Sequence, residues 1–563
     1  MGAVIFFYRL GAPGLMDPDE GRYAEIGREI LALKDWLIPH LNALPYLEKP
    51  PLVYWLTALS FSGLGLTETA ARLPAALSAL AGVYLTYFLG RALFSPGAGF
   101  LAAVVLATFP GYVVLGRLLT LDMTFTLFLN LGVGLGYLAL TRGSGGLWLW
   151  AYLALALAVL AKGPAALVLA GLVWGSWLVF RGLTSPPLPQ PSPPHPDPLP
   201  PAGGEGTKSG DGLGRLGAIA RQPWKSLVQP RAWLLSALIV LPWFAYVQWR
   251  HPGFFRFFIL EHHLGRYLTP AIHPEPIYYY LPVLLAMTLP WCLLLPWALT
   301  AGRRRPGDPH RAFLLIWAAV VLAFFSLSRG KLAPYILPAL PPLALALGEA
   351  FSHVMGPGRL PLDRGLRITL LVWGVGGLIL VALYFRPPGA LARELARLGP
   401  FSSSLLAGLA AFTLAPLLAL LWRQAGVLFL GALLLAAMIP AGVEAVSWQR
   451  SPRELGRLVQ DRWQPGAALI GVHLYSPGLS FYSGQIFHLL DFSSELDFGR
   501  RLRPESGLFF ANRRDLAALA QARPVSFFYL KADDLPDLEK EFPRNLTLLA
   551  RQKDCILLCY EGK

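Results

Sequence analysis

Charged and aromatic side chains crowd the first polar stretch of this chain, which is apolar almost everywhere else. Asp17, Asp19 and Glu20 come first, and Arg22 and Tyr23 follow closely. Ionisable groups are costly near a membrane, so those that persist are candidates for function. A carboxylate at Asp19 predicts a general base or a group that orients an acceptor. The alternative is that Asp17 or Asp19 caps a helix, because Asp is favoured at N-caps and in first turns.

A second candidate group lies in the segment YLEKPP, residues 46–51. Its two prolines favour an extended approach and then a helix start, which would hold Glu48 and Lys49 in fixed positions. Asp122, at the mouth of an apolar stretch, is a third candidate. The alternatives are a surface salt bridge for Glu48 and Lys49, and a helix cap for a lone acid such as Asp122.

Two later loops add further candidates. Glu261, His262 and His263 are adjacent in one of them, and this set modestly favours a divalent-metal site, although histidine is more often structural. Arg329 and Lys331 lie beside Gly and Pro in the other loop, which suits a phosphate bound at the membrane interface. The alternative for these two cations is an interfacial anchor.

The composition of the whole chain is that of a membrane protein. Of its 563 residues, 55% are hydrophobic and only 14% are charged, whereas soluble proteins have about 25% charged residues. Apolar stretches of about 18 to 22 residues recur almost from end to end, and each could cross a hydrocarbon core of roughly 30 Å. The net charge of +15 then reflects cytoplasmic Lys and Arg that orient the chain, and need not indicate nucleic-acid binding.

These stretches predict a polytopic α-helical membrane protein of about 13 transmembrane helices with a small soluble α/β C-terminal domain. Residues 1–447 would form the membrane domain, with surface helices in a first periplasmic loop at 16–69 and a disordered cytoplasmic linker at 183–230. Residues 448–563 would be periplasmic, on the face that also receives every candidate group. The predicted spans are 2–16, 70–91, 97–116, 121–141, 147–162, 164–181, 231–250, 277–300, 311–328, 333–351, 367–386, 402–422 and 425–446.

Six motifs of this chain occur in the order found in a known family. The sequence resembles membrane glycosyltransferases of the GT-C type, within the dolichyl-phosphate-mannose protein mannosyltransferase-like superfamily. It is most similar to bacterial 4-amino-4-deoxy-L-arabinose transferases of lipid A, over roughly residues 1–350. The motifs are DEGRYAEIGREI, DWLIPHLN, YLEKPPLVYW, LTLDMTF, the EH pair in FFILEHH, and GKLAPYILP.

The resemblance implies roles for individual residues. Asp19, Asp122 and Lys49 would be catalytic. Glu48 with His262, or with His263, would hold a divalent metal ion, with Zn, Mg and Mn all open. The residues implied in substrate binding are Arg22, Tyr23, Tyr46, Arg329, Lys331 and Tyr335.

The resemblance also implies an inverting transfer of 4-amino-4-deoxy-L-arabinose from undecaprenyl phosphate to a lipid A phosphate, at the periplasmic face of the inner membrane. An acceptor phosphate is already anionic and needs no base, so Asp19 would then orient groups. A hydroxyl acceptor would need Asp19 as general base. The alternatives are transfer of mannose or another hexose to protein or surface glycan, a lipid-linked-sugar transporter, and a non-catalytic glycolipid-binding protein.

Overall fold

A computed structural model describes residues 2–184, 227–268, 274–301, 308–354, 364–389, 402–492, 494–542 and 545–562. Within these ranges a helical part is followed by an α/β part, as the sequence predicts. The linker predicted at 183–230 lies mostly outside the described residues.

Helices make up the first part of the chain. Ten described helices are long and apolar enough to cross a membrane, and the bent pair Tyr280–Thr288 and Trp291–Ala298, which turns by 103°, would make eleven. The multi-span prediction is confirmed, whereas the predicted count of 13 is not reached in the ranges described. The helices are α1 (Gly2–Phe7), α2 (Asp19–Leu33), α3 (Leu52–Leu64), α4 (Glu68–Leu93), α5 (Pro96–Ala107), α6 (Pro110–Leu115), α7 (Leu121–Arg142), α8 (Gly145–Lys162), α9 (Ala165–Thr184), Pro230–Arg250, the π-helix Arg256–Gly265 with the turn Arg266–Leu268, Tyr280–Thr288, the 3-10 turn Trp291–Leu294, Leu295–Ala301, Pro309–Leu327, the 3-10 turn Ala333–Ala339, Leu340–Val354, Arg364–Phe385, Ser402–Trp422 and Gly426–Arg450.

Besides the bent stretch 277–300, two predicted spans differ from the structure. The stretch 2–16 holds only the six-residue helix α1 and then turns. The stretch 97–116 is broken between α5 and α6, and Pro110 is the first residue of the second piece. Proline has no N–H to continue the first helix, and its fixed φ suits a helix start.

A buried arginine explains why the stretch after α1 is irregular. Arg72, on α4, is fully buried and donates hydrogen bonds to the carbonyl oxygens of Leu10, Pro13 and Gly14. Its Nε and Nη2 also donate to the two oxygens of Glu20, at 2.7 and 2.8 Å. All five guanidinium N–H groups therefore have a protein acceptor.

The first loop is built from α2, a two-stranded hairpin and α3. The hairpin pairs β1 (His40–Leu41) with β2 (Leu44–Pro45). The spacing of Ile26, Ile30 and Leu33 predicts one apolar face on α2. Ile26 and Ile30 are fully buried, whereas Leu33 is 48% exposed. Helix α2 packs directly on α3. The approach is so close that a Cβ added at Gly27 would lie 2.9 Å from Thr57 of α3.

The C-terminal part contains a six-stranded sheet in the order β5-β4-β3-β6-β8-β7. Strands β3 to β6 form its parallel half, and β8 and β7 extend it antiparallel. Four short apolar runs of the tail, AALIGV, GLFFA, VSFFYL and CILLCY, predict strands, and they coincide with β3, β5, β6 and β8. The strands are β3 (Ala468–Val472), β4 (Phe487–Leu490), β5 (Phe509–Phe510), β6 (Val525–Lys531), β7 (Leu546–Gln552) and β8 (Cys555–Glu561), and the helices are Arg453–Arg462, Pro477–Ser483, Asp497–Leu502, Arg513–Gln521 and Leu535–Glu541, with the 3-10 turn Ala532–Asp534.

This α/β part lies against the first loop. The amide side chain of Asn42 accepts from the N–H of Phe487 at 2.7 Å and donates to its carbonyl at 3.0 Å. Asp17 accepts from the N–H of Gly478 at 2.8 Å and from the hydroxyl of Ser476. Asp17 therefore binds the start of a helix in the other domain and does not cap α2, the alternative raised for it from the sequence.

The contact at Asp17 predicts a pH dependence. Burial raises the pKa of Asp17 from 3.8 to about 6, against the lowering effect of its hydrogen bonds with Ser476 and Gly478. Because the pKa is higher in the folded than in the unfolded protein, protonation of Asp17 favours the folded state. This contribution to stability, about 3 kcal/mol, is fully present below about pH 4 and is lost as the pH rises through 6. We expect Asp17→Asn to gain thermal stability over the wild type above pH 7 and to lose the advantage near pH 4. Thermal unfolding across this range tests it, with the exposed Asp461→Asn as control.

Candidate active site

The segment YLEKPP and the double histidine meet in space. The Nζ of Lys49 lies 2.8 Å from Nε2 of His262, which is buried. Oε2 of Glu48 lies 3.7 Å from the same nitrogen. Because an ammonium only donates, Nε2 accepts, and a neutral His262 carries its proton on Nδ1. A carboxylate, a cation and an imidazole thus share one small site.

The two histidines face different neighbours. Nδ1 of His263 lies 2.6 Å from the carbonyl oxygen of Phe258, and its Nε2 lies close to Gly163. His262 is the histidine beside Glu48, so the structure separates the two candidates that the sequence left open. Both belong to the π-helix Arg256–Gly265, an irregular helix type that is frequent at functional sites.

Three tyrosines lie between this site and α2. The hydroxyl of Tyr46 donates to Glu48 at 3.3 Å. The ring of Tyr54 lies 6.4 Å from that of Tyr46 and 5.9 Å from that of Tyr23. All three are buried, so α2 and the YLEKPP segment are joined through packed aromatic rings.

Asp19 and Arg22 form a pair at the start of α2. Nη1 of Arg22 lies 3.2 Å from Oδ1 of Asp19, whose side chain is 57% exposed. Nη2 of Arg22 lies 3.2 Å from Glu495 in the C-terminal domain. Burial raises the pKa of Tyr23 well above its ordinary value, and the charges of Asp19 and Asp122 raise it further. Tyr23 is therefore a buried side chain whose neutral form is favoured by the two nearby predicted catalytic acids.

Asp122 is paired with a cation that was not among the sequence candidates. Asp122 forms an ion pair with Lys162, the last residue of α8, and both side chains are mostly buried. The Nζ of Lys162 also lies 4.3 Å from the ring centroid of Tyr335, a cation–π contact. The acid of LTLDMTF and the tyrosine of GKLAPYILP are thus brought together by Lys162.

The two cations of the last motif differ in exposure. Lys331 is 4% exposed, and its ammonium donates to the carbonyl oxygens of Glu275 and Ser328 at 2.8 and 2.5 Å. Arg329 is exposed, and its backbone N–H donates to Tyr267. Lys331 therefore already anchors the loop between two helices, and phosphate binding by either residue stays a prediction.

Comparison with known proteins decides the family. Residues 48–192 match the family model described as dolichyl-phosphate-mannose-protein mannosyltransferase. The undecaprenyl phosphate-alpha-4-amino-4-deoxy-L-arabinose arabinosyl transferase of Erwinia tasmaniensis is 31% identical over 458 residues, which cover 78% of this chain and 75% of that protein. The chain belongs to this arabinosyl transferase family. The resemblance drawn from the motifs is confirmed.

Two further comparisons give extent and fold. The arabinosyl transferase of Edwardsiella ictaluri is 32% identical over 398 residues, so the match spans 69% of this chain but 65% of that protein. The crystal structure of ArnT from Cupriavidus metallidurans bound to undecaprenyl phosphate superposes with a TM-score of 0.82 at 24% identity, covering 99% of this chain and 96% of that one. This likeness confirms the predicted fold class, a helical membrane domain with a small C-terminal α/β domain.

The predicted metal ligands form an incomplete set. Catalytic zinc sites use three protein ligands, whereas only Glu48 and His262 come together here. No group of three or more His, Cys, Asp or Glu side chains in the described ranges is placed to hold a metal ion. In addition, the ammonium of Lys49 occupies the acceptor position of Nε2. Glu48 and His262 thus supply two of the ligands that an ion would need, and no chemical step proposed below depends on one.

Three residues of this candidate site were missed by the sequence analysis. Lys162 ends an apolar helix, where a lysine is an ordinary terminal residue, so its position did not single it out. Tyr54 is inside the quoted motif YLEKPPLVYW, so its place in the motif was the available signal. Glu495 lies 473 residues from its partner Arg22, and no local pattern indicated that contact.

Proposed function

We propose that this protein transfers 4-amino-4-deoxy-L-arabinose from undecaprenyl phosphate to a lipid A phosphate. The reaction would be an inverting glycosyl transfer at the periplasmic face of the bacterial inner membrane, where the C-terminal domain would also lie. The observation that carries the proposal is the meeting of Glu48, Lys49 and His262 in a chain of the arabinosyl transferase family.

The donor phosphate gains negative charge as the sugar leaves it, and this is the largest electrostatic demand of the reaction. Lys49 supplies a positive charge whose position is fixed by its contact with buried His262. Glu48 lies beside His262 and accepts a hydrogen bond from the hydroxyl of Tyr46, so these polar groups form one network with Lys49. These side chains are therefore in place before the substrate binds, which lowers the cost of ordering them in the transition state.

The acceptor side has a different chemistry. A phosphate monoester has a second pKa near 6, so a lipid A phosphate is anionic at neutral pH and attacks without a base. Arg22 is suited to orient such an anion, and Asp19, bonded to Arg22, would hold the guanidinium. Asp122, paired with Lys162, would fix the cation next to Tyr335. In this arrangement both acids position cations.

Mass spectrometry of lipid A tests the proposed function. Cells that lack the protein are complemented with the wild type, with Glu48→Ala, or with the exposed control Glu454→Ala. We expect an aminoarabinose mass shift in the wild type and the control, and its loss in Glu48→Ala. An unmodified lipid A with the protein present in the membrane would contradict the proposal and favour a hexose transferase acting on protein or surface glycan.

A divalent ion, Zn, Mg or Mn, remains the predicted cofactor, and Glu48 with His262 is the place proposed for it. An ion there must displace the ammonium of Lys49 from Nε2. We expect Lys49→Gln to bind Zn²⁺ at least about tenfold more tightly than the wild type, since a cation–cation repulsion is removed. Calorimetric titration of the purified protein measures this, and His262→Ala is the control that should abolish binding. Equal affinity of Lys49→Gln and the wild type would argue against an ion at this place.

A further inference from the structure

We propose that Glu495, in the C-terminal domain, is a positioning residue that fixes the guanidinium of Arg22 for the transfer reaction. This inference rests on the proposed function and deepens it. It assigns to the α/β domain a direct part in shaping the site, through a residue outside every motif that carried the family resemblance.

The first argument is the way in which Arg22 is held. Its two terminal nitrogens each lie 3.2 Å from a carboxylate, one from Asp19 on the same helix and one from Glu495. The side chains of Arg22 and Glu495 are 15% and 16% exposed, against 57% for Asp19. An ion pair away from solvent is screened less, so the contact with Glu495 contributes more to fixing the arginine.

The second argument concerns the Nε–H group of Arg22. Both Nη atoms are engaged, whereas Nε is buried and has no hydrogen-bond partner among the described residues. A buried donor without an acceptor is costly, so a ligand that supplies one is favoured. Because the guanidinium is planar, fixing both Nη atoms also fixes the direction of the Nε–H bond. An anionic phosphate is the chemical class that such a donor would take.

The third argument is that the segment that carries Glu495 is packed against other parts of the site. The hydroxyl of Ser494 donates to its second oxygen at 2.8 Å. A few residues later, Phe498 stacks on Phe257 of the π-helix with ring centroids 4.0 Å apart and planes at 13°. Gly499 packs on the hairpin, since a Cβ there would lie 2.7 Å from the carbonyl oxygen of Pro45.

The segment 494–499 therefore contacts three elements that carry or directly precede site residues. It meets α2 at Arg22, the hairpin just before the YLEKPP segment, and the π-helix that carries His262. Because these contacts come from one short stretch, a shift of Glu495 is opposed on three sides. This rigidity is what a positioning residue requires.

A double-mutant cycle on the full-length purified protein tests the inference. Transfer is measured from undecaprenyl-phosphate-linked aminoarabinose to lipid A for the wild type, Glu495→Gln, Arg22→Gln and the double variant. We expect Glu495→Gln to lower kcat about 10- to 100-fold with the donor KM within about twofold, as for a misplaced group. In the Arg22→Gln background the same change should cost nothing further. Losses that multiply in the double variant would overturn the proposal.

Two controls separate positioning from folding. Glu495→Asp keeps the charge and should recover part of the rate, whereas the exposed Glu454→Gln should leave it unchanged. Thermal unfolding of the four proteins should show coupling between positions 22 and 495. A wild type that modifies no lipid A contradicts the proposed function, and the inference is then decided by unfolding alone, where additive shifts of Tm would overturn it.

Discussion

Replacing Lys49 by Gln is expected to lower the rate of sugar transfer by about 100- to 1000-fold, the loss typical of removing one preorganised group from a developing charge. Lys49 is the cation that contacts His262, and the prolines that follow it set where the helix α3 begins. The neutral glutamine keeps a polar side chain of similar length but supplies no charge to the departing phosphate. The protein should still fold, because Glu48 retains Tyr46 as a partner.

The rate is measured with purified protein and a polyprenyl-phosphate aminoarabinose donor. Lys34→Gln, an exposed lysine in the same loop, is the matched control and should transfer at the wild-type rate. Lys49→Arg should recover only part of the activity, because a planar guanidinium does not replace a compact ammonium. A Lys49→Gln protein of nearly normal rate would show that the phosphate charge is met elsewhere, with Lys331 and Arg329 as the next candidates.

Replacing Arg72 by Met is expected to destabilise the fold by about 3–5 kcal/mol, the cost of leaving a buried partner charge alone. Glu20 would lose both of its guanidinium donors, and three backbone carbonyls after α1 would lose theirs. Glu20 would keep the N–H of Leu119 as a donor, at 2.9 Å. The result should be a large fall in Tm and in the amount of protein recovered from membranes.

Thermal unfolding in detergent measures this effect. Arg91→Met, at an exposed position near the end of the same helix, is the control and should change Tm little. Adding Glu20→Gln to Arg72→Met should restore part of the loss, because the unpaired charge is removed. Equal Tm values for Arg72→Met and the wild type would mean that water satisfies the carboxylate and the carbonyls.

The residues proposed for the site were predictable because charged side chains are conspicuous in an apolar sequence. Glu48, Lys49 and His262 were all named from the sequence, and the structure brings them together. The strands of the C-terminal sheet were predictable for a similar reason, since short apolar runs alternate there with polar, helix-forming segments. Local pattern was sufficient in both cases.

Other features depend on contacts between distant segments, which local pattern does not contain. The stretch 2–16 has the composition of a span, but Arg72 and Arg117 hold its carbonyl oxygens in an irregular path. The ion pair of Arg22 with Glu495 could not be predicted either, because the two residues are far apart in the sequence. The break in the predicted span 97–116 did have a local signal, because Pro110 interrupts the helical pattern there.

The packing of the α/β domain on the first loop limits the order in which the parts of the protein can fold during synthesis. Asn42 and its partner Phe487 are separated by 445 residues, which a ribosome needs on the order of half a minute to synthesise. During that time the first loop has left the ribosome without the surface that later covers it. Because Glu495 of that domain also contacts Arg22, we expect the candidate site to be completed last. A chain halted before the final domain should then be inserted in the membrane yet lack the transfer activity proposed for it.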